Sequence, residues 1–265
     1  MARLSDVLTE AFDYFEAHGF DDQSQVAEWV RRIEQAARES MMSQADLERR
    51  LKKEFQRIFE RTTRNPAGVS RFTVQKLNPA LRALLDKKVM TSINLIKLNR
   101  DEMVGATLRR FVGWLSSIPE TDRVNFKRAK LREELSKPLK SLPWAERRVF
   151  IDQGHKFASA VNATIAEGGG AIAGKWFSHW RQSNYNYRDS HKDRDGKVYM
   201  LRNSWAMREG MVKKGDNPWS DEITQPAEEP FCRCTFTYLY HLRQLPPECI
   251  TQKGLEALKK ARAVA

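Results

Sequence analysis

At 265 residues the chain is long enough for two compact domains, or for one elongated helical body with a smaller cap. It carries 46 Lys and Arg against 34 Asp and Glu, and the formal charge of +12 favours polyanionic partners without choosing among nucleic acid, an acidic protein surface and a membrane. Cys232, Cys234 and Cys249 are too few and too clustered for a secreted disulfide scaffold, no stretch approaches the roughly 20 apolar residues of a membrane-spanning helix, and the N-terminus has no apolar signal core, so synthesis in a reducing cytosol is the expectation.

The first half has helical periodicity almost throughout. Leu4, Val7, Leu8, Phe12 and Phe15 share one face of a helix that Gly19 ends, and Val26, Trp29, Val30, Ile33 and Ala37 form a second stripe that breaks near Met42. Ser43 with Asp46 opens a third helix in capping-box fashion, carrying Leu47, Leu51, Phe55, Ile58 and Phe59. Each apolar stripe needs a partner helix to bury it, which predicts a bundle. Residues 64–68, Arg-Asn-Pro-Ala-Gly, form a loop. Asn78 as N-cap and Pro79 in the first turn then start a helix whose pattern from Leu81 to Leu115 fits one long helix, or two broken near Asn99 and Arg100.

The stretch from Thr121 to Arg148 reads as a basic hinge punctuated by Pro138 and Pro143. Lys127, Arg128, Lys130 and Arg132 are its densest cations. As a non-specific nucleic-acid contact they would neutralise phosphates and release counterions, but without interleaved aromatics a solvated helix face is the simpler account. An amphipathic helix through Val149, Phe150, Gln153, Phe157, Val161 and Ile165 stops at Gly168, Gly169 and Gly170. That triplet follows a helix and lacks the Lys-Ser/Thr of a phosphate loop, so it terminates the helix.

Aromatics and short loops then replace helical stripes. Asp195-Gly196 suits a tight hairpin turn with positive φ, and Phe231 to Tyr240 alternates as a strand with Cys232, Cys234, Phe236 and Tyr238 on one face. The expected fold is mainly α: a helical N-terminal body at 1–142, a small α+β domain with short antiparallel strands at 143–245, and a C-terminal tail with a short helix at 246–265.

Cysteines one residue apart do not easily close a disulfide with each other, and three readings of the cluster stay open. A structural zinc site would take His191, Cys232 and Cys234, with a fourth ligand from His179, Asp193 or Asp195; the ligand types suit zinc, but the spacing matches no standard finger. A metal nuclease would use His191 with Asp193 and Asp195, where a hydrolytic site wants more converging ligands. In plain packing, the working choice, His191 fixes a hairpin through a hydrogen bond, Arg188 and Arg233 pair with Asp189, Asp195 or backbone carbonyls, and the thiols act as small buried hydrophobes. No serine or cysteine nucleophile with a placed base is discernible.

Taken in order, Trp176 or Trp180, Arg188, His191, Asp195-Gly196 and Pro230 followed by Cys232-Arg233-Cys234 resemble the Mu F-like minor head proteins of tailed phages, over about residues 144 to 242. The residues before the first cysteine, Glu228-Glu229-Pro230-Phe231, depart from the His-Pro-Asn-like approach of many relatives. The resemblance implies a minor head morphogenesis protein near the portal or head interior, assisting head assembly and DNA packaging. Its implied partners are portal and major capsid proteins and, non-specifically, packaged DNA, with no membrane. Its implied location is the virion, and the host cytoplasm during assembly. No enzymatic activity and no cofactor are expected beyond a structural zinc; the competing class is a virion-carried enzyme, such as a metal-dependent nuclease or a toxin-like effector.

Overall fold

Local chemistry sets where the helices begin and end. In the computed structural model, which describes residues 4–117 and 128–264, α1 (Leu4–His18) closes on Gly19 at φ 83°, whose N–H donates to the Phe15 carbonyl at 3.0 Å. The Asp22 carboxylate caps α2 (Gln23–Glu39) by accepting from the Ser24 and Gln25 N–H groups. Ser43 Oγ accepts the Asp46 N–H ahead of α3 (Gln44–Arg64), as the sequence predicts.

The long helices differ from expectation. α4 (Arg71–Ser117) is one helix without a break at Asn99 or Arg100, and it starts at Ser70, whose Oγ accepts the Thr73 N–H; Pro79 lies inside it rather than at its first turn. α5 (Arg128–Gly168) likewise runs through Pro138 and Pro143, so the part of the expected hinge that lies within the described residues is helix. Each internal proline frees the carbonyl four residues earlier. Pro79 and Pro143 are exposed, where water can take that carbonyl, but Pro138 is buried. There, Arg110 Nη1 donates to the freed Glu134 carbonyl at 2.7 Å. A charged donor from another helix thus replaces the lost helical bond.

The chain packs as two compact units, each discontinuous in sequence: Met1–Lys52 with Met90–Phe150, and Lys53–Val89 with Ile151–Ala265. The boundary expected at 142/143 instead falls inside α5, because apolar stripes on continuous helices, and not loops, decide which residues pack together. The first unit is a helical core built on Leu8, Phe12, Phe15, Ile33 and Phe111, with Trp114 edge-on to Phe12 at 4.9 Å. Each such side chain contributes about 1.5–3 kcal/mol of burial.

In the second unit, Phe55 packs on Phe157 at 5.5 Å. The three glycines that end α5 serve close approach and chain reversal. A Cβ at Gly168 would sit 2.6 Å from Leu77 and one at Gly169 would collide with Val69, while Gly170 adopts φ 81° and the Ala171 N–H returns to the Ala166 carbonyl. Beyond them lies a three-stranded antiparallel sheet in the order β2-β1-β3, with β1 at Ala173–Phe177, β2 at Val198–Met200 and β3 at Thr235–Leu239. Register pairs Trp176 with Phe236 and Gly174 with Tyr199, which builds an aromatic face; Ala173, paired with Met200 and Leu239, belongs to the opposite, aliphatic face. Gly174 is needed because a Cβ there would meet the Phe236 ring at 2.9 Å.

Short helices α6 (Asp189–Lys192) and α7 (Trp205–Arg208) interrupt the loops, and α8 (Gln252–Val264) ends the chain. The region expected to be a tail is part of the fold: Cys249, Ile250 and Leu258 pack in the aliphatic core, and Ile250 bridges to Val212. The fold class is as expected, mainly α with a small antiparallel α+β portion.

The Pro138 arrangement gives a test. Arg110→Ala is expected to cost about 0.5–1.5 kcal/mol in urea denaturation, and Pro138→Ala, which restores the helical donor to Glu134, should remove most of that cost in the double mutant. Equal costs of Arg110→Ala in both backgrounds would contradict this role.

Candidate functional site

The aromatic face of the sheet carries the site. Trp176, fully buried on β1, meets Phe236 at 5.5 Å and His191 at 5.3 Å, both edge-on. Between β1 and β2 the chain leaves the sheet through residues 178–197 instead of turning as a two-residue hairpin. Gly196 has the expected positive φ of 80°, and its N–H donates to the Trp176 carbonyl, which closes the excursion. Asp195 gathers the near end of that loop: its carboxylate accepts from the Ser178 N–H at 2.9 Å, Trp180 Nε1 at 3.0 Å and Arg181 Nη1 at 3.2 Å. These bonds, the Ser178 N–H foremost, hold its pKa below the ordinary value.

At the far end of the excursion the single turn of α6 points His191 inward, leaving it 2% exposed. The Cys232 and Cys234 sulfurs lie 3.5 and 3.6 Å from His191 Nδ1, at 1% and 2% exposure. Its other ring nitrogen, Nε2, is 3.5 Å from Glu229 Oε2, which in turn lies 2.5 Å from Arg188 Nε. Arg188 Nη2 also donates to the Pro230 carbonyl at 3.0 Å. Guanidinium, carboxylate, imidazole and two sulfurs thus stand in line, with Glu229 Oε2 making no hydrogen bond among the described residues.

The segment delivering the cysteines is strained. Ala227 at φ 65° and Phe231 at φ 59° occupy the left-handed region, which costs a non-glycine residue about 1–2 kcal/mol. Both conformations are held from outside. The Phe231 N–H donates to Asp152 Oδ1 on α5 at 2.6 Å, and that carboxylate, itself buried, pairs with Lys156 at 3.0 Å. The Ala227 N–H is aimed at the Cys232 sulfur, as is that of Cys234. The Cys232 thiol is pushed down to about 5, first by the hydrogen bond from the Cys234 thiol and then by these N–H groups, against the opposing effect of burial. Cys234 is pushed up, since its proton is held by Cys232. Trp176 Nε1 is buried too, with no acceptor among the described residues.

Of the residues singled out in the sequence, Trp176, Arg188, His191, Cys232 and Cys234 meet in this cluster. Asp195 and Gly196 brace the excursion instead, and Arg233 lies outside, donating to Gln182 Oε1 at 3.1 Å with its guanidinium over the Tyr185 ring. Arg188 pairs with Glu229 and not with Asp189 or Asp195. Cys232 and Cys234 precede the strand, which begins only at Thr235 because the turn at Phe231 breaks the extended run, yet they keep the common face that alternation predicts. Neither His179 nor Asp193, both exposed, nor Asp195 joins them: among the described residues, His191, Cys232 and Cys234 are the group with metal-ligand spacing, all within 4.8 Å of one another. Asp193 and Asp195 do not converge on His191 as the nuclease reading requires. A thiol does stand beside a base here, against the sequence reading, and both are buried.

Asp152 and Glu229 carried no signal of their own; a carboxylate three positions before Cys232, in the step that departs from the family pattern, was the single clue to the second. The cations Lys130 and Arg132 lie on α5, Lys130 exposed and Arg132 donating to Thr9 Oγ1 at 3.0 Å, while Lys127 and the Arg128 side chain lie outside what is described. Among the described residues no helix is long and apolar enough to cross a membrane. No protein-family model, curated protein or solved structure matches this chain.

The Asp195 bonds give a pH test. With its folded pKa lowered, its contribution is complete above the unfolded value near 3.9 and is lost as pH falls through the folded value. Asp195→Asn, which cannot accept from both donors in the same way, should cost stability at pH 7, and that cost should shrink below about pH 4. A difference in thermal stability that is the same at pH 7 and pH 3 would refute it.

Proposed function

We propose that this chain is a minor head morphogenesis protein of a tailed phage, associated with the portal or the head interior and assisting head assembly and DNA packaging. One observation supports the reading. Of the residues that carry the resemblance to Mu F-like proteins, Trp176, Arg188, His191, Cys232 and Cys234, scattered along the C-terminal half, meet in one cluster that is buried except at Arg188. At the departure from the pattern, Glu229 stands 3.5 Å from the outer nitrogen of His191.

The reading is tested in particles. Purified heads and assembly intermediates of the phage that encodes the chain should contain it at far lower abundance than the major capsid protein, with cryo-EM density at the portal vertex or inside the head. Its absence from both would overturn the proposal.

A net charge of +12 suits a protein close to packaged DNA, and non-specific phosphate contact is proposed for Lys127, Arg128, Lys130 and Arg132. Affinity should then fall linearly with salt on logarithmic axes, without base preference, and neutralising the four together should flatten the slope by about 2–4 units. An unchanged slope would return the strip to an ordinary solvated face. Measurements must reach physiological ionic strength, since any protein this basic binds DNA at low salt.

A further inference from the structure

We infer that His191 Nδ1, Cys232 Sγ and Cys234 Sγ bind one zinc ion, with water at the fourth vertex, which ties the excursion after β1 to the turn before β3. This inference stands on the cluster itself and does not depend on the head-protein reading.

Three observations carry it. The first is metric. A tetrahedral zinc with sulfur at about 2.3 Å and nitrogen at about 2.0–2.1 Å sets each sulfur about 3.5 Å from the nitrogen. Both sulfurs lie at that separation from Nδ1, 3.5 and 3.6 Å. A single hydrogen bond, in whichever direction the tautomer sets, accounts for one such approach and leaves the second sulfur's equal approach unexplained. The second is the far side of the ring. The Glu229 carboxylate, steadied by Arg188, stands 3.5 Å from Nε2 on the side of the ring away from the sulfurs, and metal-bound histidines are generally backed by such a carboxylate. The third is the strained turn: Ala227 and Phe231 are kept in the left-handed region ahead of Cys232, with the Phe231 N–H fixed by Asp152, and this turn delivers both sulfurs to one nitrogen. Backbone strain maintained for that delivery is poorly explained if the cysteines are only small hydrophobes.

The competing accounts each leave something over. A Cys232–Cys234 disulfide would be strained at this spacing and would leave Nδ1 buried without a donor. Plain packing explains the burial, but not a histidine facing two thiols. The donor set of two thiolates and an imidazole excludes magnesium and calcium and selects zinc among available divalent ions. Two thiolates and a dication sum to zero, and Glu229 and Arg188 also cancel, so the core buries no net charge. The Trp176 N–H is a donor of the kind that ordered solvent commonly satisfies. With the sulfurs at 1% and 2% exposure, the ion's role is to hold the fold, not to process a substrate.

The test uses the full chain, purified without chelators. Elemental analysis should find about one zinc per molecule, and replacement by cobalt(II) should give tetrahedral d–d absorption with thiolate charge-transfer bands. Cys232→Ser and Cys234→Ser should lose zinc and the charge-transfer intensity. Because those variants can fail to fold, Glu229→Gln, which keeps all three ligands, provides the second arm: its zinc affinity, measured by competition with a chromophoric chelator, should be about 10–100-fold weaker. Wild type without zinc and without a cobalt spectrum would overturn the inference. So would stoichiometric iron or copper in place of zinc, or Glu229→Gln binding zinc as tightly as wild type.

Discussion

The burial of His191 is the constraint around which the C-terminal unit is organised. An imidazole at 2% exposure has two ring nitrogens, and each needs a partner inside the protein. The cysteine sulfurs face one, and the Glu229 carboxylate stands 3.5 Å from the other. Glu229 then brings a charge into partly buried surroundings, and Arg188 neutralises it while also taking the Pro230 carbonyl. In this way one ring fixes the conformation of α6, of the turn before Cys232, and of the excursion that links β1 to β2. Trp176 and Phe236 complete the enclosure with edge-on aromatic contacts.

Strain in the turn is sustained by the helix behind it. Phe231 stays in the left-handed region because its N–H is held by Asp152, and Lys156, one turn along α5, pairs with that buried carboxylate. The helix is placed against its neighbours by small residues, with Gly154 close to Ile58, Gly168 to Leu77 and Gly169 to Val69. Helix packing and site geometry are therefore one problem in this unit. A shift in α5 would be felt next to Cys232 through the Asp152–Phe231 hydrogen bond.

The helical unit solves a different problem, how to keep long helices intact across prolines. A proline on an exposed side hands its orphaned carbonyl to water, and the buried Pro138 hands it to Arg110. Arg100, 11% exposed at its side chain, similarly joins Glu146 at 2.6 Å and the Met42 carbonyl at 2.8 Å. Several of the chain's cations are thus committed to structure, and the net charge overstates what remains for a polyanion.

Much of the helical portion could be read from the sequence, because caps and apolar stripes are local. Gly19, Ser43 and the glycines from Gly168 mark helix ends through interactions within a few residues, and the face shared by Cys232 and Cys234 follows from alternation alone. What failed to show were features decided at long range. Pro79 looks like a helix start, and Pro138 and Pro143 look like breaks, until the tertiary structure carries the helices through them. The division at 142/143 looked natural because Pro143 punctuates the basic hinge there and the resemblance begins beside it, whereas packing groups residues 53–89 with the C-terminal part. The site is the clearest case. Sequence determined which side chains were available, namely a histidine, two thiols and flanking arginines; only the fold decided that Glu229, not Asp195, would stand behind the ring, that Asp152 on α5 would hold the turn, and that both sulfurs would meet one nitrogen. Local backbone chemistry is written within a few residues of where it acts, but the meeting of charges and thiols in a core depends on which surfaces bury each other.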